Sequence, residues 1–348
     1  MLRIGVIGCG KISQVRHLPE YADREDCKIT ALYDLNMERA RELAEQYGAE
    51  AFESCEALLA SDNVDAVSVC SSNTTHAEIT IAALKAGKHV LCEKPMATTL
   101  EDCEAMVAAA KESGKRLMIG QNQRLAGAHV KAKELIDEGA IGKVISFRTA
   151  FRHAGPERWS VDPGLSTWFF DKSRAAMGSL ADLGVHKADL IQYLTGQTIV
   201  EVLASAVVLD KKFADGSPIT VEDNAMCVLT LSDGAVGTMD VSWTNYGPED
   251  NSTVVYGTDG ILRIYDDAEH TLILHKRSGE VFNYDVDQIQ TNDNQTKSGI
   301  IDLFVEWIKD ENVAGISGES VLPAMRAVFG VLEAAEKKCA VKVNVQEA

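Results

Sequence analysis

The sequence points to an α/β protein: a doubly wound parallel sheet, followed by an α+β half built on an open, mainly antiparallel sheet. Three observations carry that reading. Up to about residue 120, short apolar runs alternate with stretches of helical length, the grammar of βαβ units. Beyond about residue 145, apolar runs follow one another and are separated by glycine turns instead of helices. The chain has 348 residues, 46% hydrophobic and 25% charged, enough to bury a large core without covalent staples.

Residues 2–8 form a short apolar run that ends in glycine, the mark of a buried strand, and a helical pattern follows to about residue 22. A second strand covers 28–34, and a helix over 36–47 is closed by Gly48 at its C′ position. Strands at 66–70, 89–92 and 116–119 alternate with helices at 76–85, stopped by Gly87, and at 100–113. Such parallel strands are covered on both faces and therefore read as continuous apolar runs. In the remainder, strands are expected at 144–151, 200–208, 225–231, 235–243, 253–256, 261–265 and 271–275. Asp233-Gly234, Asp259-Gly260 and Ser278-Gly279 are hairpin turns, since glycine tolerates positive φ. Helices are inserted near 129–138, 178–195, 300–309 and 319–338. The change of grammar divides the chain at about residue 120, into 1–120 and 121–348.

Charge narrows the partners. Fifty-two acidic against 34 basic side chains leave a net charge of −18, which repels nucleic acid and anionic membrane surfaces alike. The eight cysteines include no C-x-x-C pair, and several sit inside apolar runs, as small hydrophobes do in a reducing compartment. No apolar window approaches the length of a membrane span, and no signal-peptide pattern opens the chain, so a cytoplasmic protein is expected.

The first chemical motif is Gly8-Cys-Gly10-Lys11-Ile12-Ser13, between the first strand and the helix after it. One glycine permits the tight turn, and the other lets a pyrophosphate approach the backbone at a helix N-terminus. Asp34 ends the second strand, where a carboxylate accepts hydrogen bonds from an adenosine ribose and repels a 2′-phosphate. NAD is therefore favoured over NADP. Glu93-Lys94-Pro95 follows a strand at the carboxyl edge of the sheet, where ligands of such folds bind, and a cis Lys–Pro bond would aim the lysine inward. By itself that triplet reads first as a solvated Glu-Lys pair in a loop. Ser71, Asn73 and His76 occupy the corresponding edge after residues 66–70 and also suit helix capping. Asp182 and His186 are four apart, so on an α-helix they share a face, and the carboxylate would orient an imidazole that takes a proton. A metal could use that spacing, but no third ligand is apparent and none is expected.

Taken in order, Gly8-x-Gly10 with Asp34, Glu93-Lys94-Pro95, and Gly178-x3-Asp182-x3-His186-x2-Asp189 resemble the glucose–fructose oxidoreductase/inositol dehydrogenase (Gfo/Idh/MocA) family over nearly the whole chain. The resemblance implies a Rossmann half with an open-sheet second half, and NAD bound by Gly8, Gly10, Lys11, Ile12, Asp34, Ser71, Asn73, His76, Glu93 and Lys94. It makes Lys94, His186 and Asp182 the catalytic set: His186 takes the hydroxyl proton, Lys94 bonds the same oxygen, and Asp182 fixes the imidazole or holds a substrate hydroxyl. Arg124, Asp182 and His186 are the implied substrate contacts, and Trp168 joins them as an aromatic side chain able to stack on a sugar face. The implied reaction is hydride transfer between nicotinamide and a secondary alcohol of a sugar, sugar derivative or inositol-like polyol. Two alternatives share the cofactor half: an NAD-dependent glycosidase using transient oxidation, and a non-catalytic dinucleotide sensor. Apolar residues left outward on the antiparallel sheet, for example within Val228-Leu-Thr-Leu231, imply a homodimer or homotetramer.

Overall fold

A computed structural model describes residues 1–288 and 297–343. Its first half alternates β1 (Leu2–Ile7), α1 (Leu18–Ala22), β2 (Cys27–Tyr33), α2 (Met37–Tyr47), β3 (Glu50–Ala51), α3 (Cys55–Ala60), β4 (Ala66–Val69), α4 (His76–Lys85), β5 (His89–Cys92), α5 (Leu100–Ser113) and β6 (Leu117–Ile119). All six strands are parallel, in the order β3-β2-β1-β4-β5-β6. The chain winds outward from β1 one way and from β4 the other, so the switch point lies between β1 and β4, where such folds bind ligands. Gly8 makes their close approach possible. Its φ is +97°, and a Cβ there would lie 2.6 Å from the Cys70 carbonyl.

The second half contains α6 (Gly127–Asp137), β7 (Val144–Arg152), α7 (Lys172–Ala175), α8 (Val185–Thr195), β8 (Ile199–Val207), β9 (Asn224–Leu231), β10 (Val236–Ser242), β11 (Thr253–Gly257), β12 (Gly260–Ile264), β13 (Leu272–Lys276), β14 (Val281–Tyr284), α9 (Ile300–Lys309), α10 (Gly318–Lys337) and β15 (Val341–Lys342). The sheet runs β14-β13-β12-β11-β7-β10-β9-β8-β15, antiparallel throughout except where β7 lies parallel to β10. The three glycine turns join β9 to β10, β11 to β12 and β13 to β14, as expected. Helices α6, α8 and α10 cover one face. The other leaves Leu203, Met226, Val228 and Val236 between 42% and 53% exposed. Helix α10 also packs on α5 and β6, which ties the two sheets together.

The structure differs from the sequence reading at several places. Strands β3, β14 and β15 and helices α3 and α7 were not anticipated, being short or, for β14, largely exposed. The segment expected as one helix over 178–195 begins as a π-helical turn, Leu180–Gly184, before α8, and another π-helical turn, Ser13–His17, precedes α1. All eight cysteines are free thiols, and among the described residues no helix is long and apolar enough to cross a membrane.

Candidate active site

A cavity of about 620 Å³ opens at the carboxyl edge of the parallel sheet, against the second sheet. Gly8, Gly10, Lys11, Ile12, Asp34, Ser71, Asn73, His76, Glu93, Lys94, Trp168, Asp182 and His186 all line it. Arg124 does not. Its guanidinium bonds both oxygens of Asp189, at 2.7 and 2.6 Å, and lines a separate shallow hollow with Tyr193 and Pro323. The structure does not bring Arg124 to this cavity; the arginine neutralises a carboxylate inside the second half.

The dinucleotide end suits its expected occupant. A Cβ on Gly10 would meet nothing within 4 Å, so the turn leaves open space against the backbone, where a pyrophosphate fits. Asp34 Oδ2 accepts from the Cys9 N–H at 2.6 Å and Oδ1 from the Asn36 N–H at 2.7 Å, which fixes the carboxylate at the cavity wall with lone pairs to spare. The His76 ring nitrogens lie 2.7 Å from Pro95 O and 3.1 Å from Ser71 O, joining the loops after β4 and β5. Asn73 donates to Ala175 O at 2.9 Å and so reaches α7.

The Lys94–Pro95 peptide is cis. Lys94 Nζ donates to Asp182 Oδ1 at 2.9 Å and to Asp182 O at 3.0 Å. Asp182 Oδ2 accepts from Trp243 Nε1 at 3.0 Å and faces His153 Nε2 at 3.4 Å. The Gly155 N–H donates to His153 Nδ1 at 2.9 Å, which assigns the His153 proton to Nε2, toward Asp182. Burial alone would raise the Asp182 pKa, but Lys94 and His153 outweigh it and hold the carboxyl well below the usual range.

The expected pairing of Asp182 with His186 does not form. Asp182 sits in the π-helical turn, which breaks the four-residue register, and both its oxygens are engaged by Lys94, Trp243 and His153. His186 packs its ring 6.1 Å from that of Phe151, and its buried Nδ1 has no partner among the described residues. Burial first, and then the Lys94 charge, push the His186 pKa well below 6.5, so the imidazole is neutral at pH 7. That is the form a proton acceptor needs.

Glu93 lies under this pair. Its Oε1 is 2.9 Å from His17 Nε2, and its Oε2 accepts from the Lys94 N–H at 3.2 Å. The chain of polar groups continues from His17 Nδ1 to Ser68 Oγ at 3.0 Å and on to Tyr21 OH at 2.9 Å. Burial opposes ionisation of Glu93, yet the His17 hydrogen bond and the nearby cations bring its pKa down to about 2. Neither His153 nor Trp243 is marked by a motif in the sequence. Trp243 is fully buried, yet its indole N–H is spent on Asp182. Trp168 stacks on Phe169 at 4.0 Å on the cavity wall, where Trp159 Nε1 and Thr167 Oγ1 are buried without partners among the described residues.

Comparison with known proteins agrees with this geometry. Residues 2–121 match the family model "Oxidoreductase family, NAD-binding Rossmann fold", and residues 129–263 match the GFO/IDH/MocA C-terminal domain. The chain is 31% identical over 345 residues to myo-inositol 2-dehydrogenase of Thermotoga maritima, covering 99% of each chain. It is 32% identical over 248 residues to levoglucosan dehydrogenase of Pseudarthrobacter phenanthrenivorans, covering 66% of this chain and 63% of that one. Among solved structures, levoglucosan dehydrogenase in complex with NADH and levoglucosan superposes with a TM-score of 0.84 at 25% identity over 99% of both chains. Aldose–aldose oxidoreductase from Caulobacter crescentus, complexed with glycerol, superposes with a TM-score of 0.82 at 27% identity, over 98% of this chain and 99% of that one.

Proposed function

The chain belongs to the Gfo/Idh/MocA family of NAD-binding oxidoreductases, and from that premise we propose how it works on a sugar or polyol alcohol. It is an NAD-dependent enzyme that transfers a hydride between nicotinamide and a secondary alcohol of a sugar, sugar derivative or inositol-like cyclic polyol. The observation that carries the reading is the neutral His186 in one cavity with Lys94, beside a glycine turn and Asp34. The dinucleotide, held by Gly8, Gly10, Lys11, Ile12 and Asp34 with the loops of Ser71, Asn73 and His76, supplies the hydride acceptor. His186 takes the hydroxyl proton. Lys94 donates to the same oxygen and stabilises the alkoxide as it develops.

Asp182 acts on Lys94 rather than on His186. Together with Trp243 and His153 it fixes where the ammonium sits. Trp168, Trp159 and Thr167 face the substrate. We divide the labour at about residue 120, with 1–120 for the dinucleotide and 121–348 for substrate and pairing. The open sheet face around Leu203, Met226 and Val228 pairs two copies, giving a homodimer or homotetramer, and the free thiols suit the reducing cytoplasm. The experiment is a fluorescence titration with NADH and, separately, NADPH, together with sedimentation of the Val228→Glu variant. Saturable NADH binding and dissociation of that variant support the reading; absence of dinucleotide binding overturns it.

A further inference from the structure

Arg39 projects from α2, the helix whose N-cap, Asn36, stands two residues after Asp34. Its Nη2 donates to both carboxylate oxygens of Asp162, at 2.9 and 2.8 Å. Asp162 lies 123 residues away, in the loop between β7 and α7, so the pair spans the two halves of the molecule across the cavity. Arg39, Asp34, Leu35 and Asp162 all line that cavity. The Arg39 side chain is 19% exposed and that of Asp162 is 77% exposed, so the arginine is largely covered while its partner stands toward solvent. Both Asp34 and Arg39 act electrostatically on the Cys9 thiol within the glycine turn, which puts the two charges at the same end of the site.

We infer that Asp162 is a cofactor-selectivity residue: it engages Arg39 and so withholds from the adenosine end of the cavity the guanidinium that a 2′-phosphate would need. The inference rests on the proposed placement of the adenosine ribose at Asp34. Arginine is the side chain best shaped to hold a phosphate through paired N–H groups, and one placed near this ribose would ordinarily favour the phosphorylated cofactor. Here two carboxylates oppose it. Asp34 repels the added dianion directly, and Asp162 competes for the cation that would compensate. An exposed ion pair is weak, so Asp162 lowers the affinity for the phosphorylated cofactor without abolishing it.

The test uses the full-length protein and needs no substrate: dissociation constants for NADH and NADPH are measured by fluorescence titration for the parent, Asp162→Asn, Arg39→Ala and the double variant. The expected result is that Asp162→Asn tightens NADPH about tenfold, the size of one charged hydrogen bond gained, while NADH changes less than about twofold. The gain must vanish in the double variant, because it runs through Arg39. If Asp162 merely steadies its loop, both cofactors shift together and their ratio stays put, which overturns the inference. So does a gain that survives in the double variant. A parent protein that binds NADH, with variants whose NADPH to NADH ratio never moves, removes this inference alone. A parent that binds neither cofactor removes the proposed function, and this inference falls with it.

Discussion

Replacing Asp182 with asparagine removes one negative charge and almost no volume, which isolates what the carboxylate does. In the parent, Lys94 Nζ has Asp182 Oδ1 at 2.9 Å, and Trp243 Nε1 has Oδ2 at 3.0 Å. An asparagine has one acceptor oxygen for these two donors, so either the ammonium or the indole is left facing an N–H. Breaking a buried ion pair on one side costs about 3–5 kcal/mol. The side chains of Lys94 and Asp182 are 19% and 17% exposed, which moves the expected loss below that range, to about 2–3 kcal/mol. The pH dependence has a definite sign. Asp182 is depressed in the folded state, so its contribution is fully present above the unfolded carboxyl value of 3.8 and is lost only as pH falls below it. The difference between parent and variant in urea unfolding should therefore be flat from pH 8 to pH 5. Turnover should fall as well, because Lys94 loses its fixed position. A loss below about 0.5 kcal/mol, the scale of a neutral surface substitution, would refute the reasoning. A difference that changes between pH 8 and pH 5 would refute it too, by assigning the effect to a histidine.

Four further outcomes are expected. His186→Ala and Lys94→Ala should each lower kcat/KM by about 10²–10⁴ while leaving the NADH dissociation constant within a few-fold, read by steady-state rates and fluorescence titration. Because burial depresses His186, the acid limb of the kcat/KM profile should lie below pH 6.5, and a limb at or above that value would contradict the assignment of His186 as the proton acceptor. Trp243→Phe keeps the ring in the core but removes the N–H to Asp182, so it should cost about 1.5–3 kcal/mol in urea unfolding together with a fall in kcat. Gly8→Ala places a Cβ 2.6 Å from the Cys70 carbonyl at a φ of +97°, and should abolish NADH binding together with a drop in Tm.

How much of this was legible in the chain follows from the range of the interactions involved. The parallel strands were readable because most of them are buried on both faces, so 66–69 and 89–92 are short, mainly apolar runs between helices. The hairpins were readable because Asp-Gly and Ser-Gly act over two residues. β14 was not, since Val281, Phe282 and Asn283 are exposed and its neighbour β13 is what makes it a strand. Ser71, Asn73, His76 and Glu93 could be placed at the correct edge because the strand ends were right. The pairing of Asp182 could not. Its partners lie 88 residues upstream at Lys94 and 61 downstream at Trp243, and local spacing pointed instead to His186. The π-helical turn that breaks that register leaves no periodic trace in the sequence. Arg124 lies away from the cavity for a related reason. An arginine next to the site in sequence had Asp189, one turn along α8 from His186, as a nearer and fully buried partner.

The measurement that bears most directly on the central claim is absorbance of reduced nicotinamide when the parent protein, His186→Ala and Lys94→Ala are each given NAD⁺ and a panel of inositols, pyranoses and alkyl glycosides. The account predicts NADH formation by the parent with at least one cyclic polyol or sugar, and its near-complete loss in both variants. NADH formation that persists undiminished in the variants would contradict it, by placing the chemistry somewhere other than the Lys94–His186 cavity.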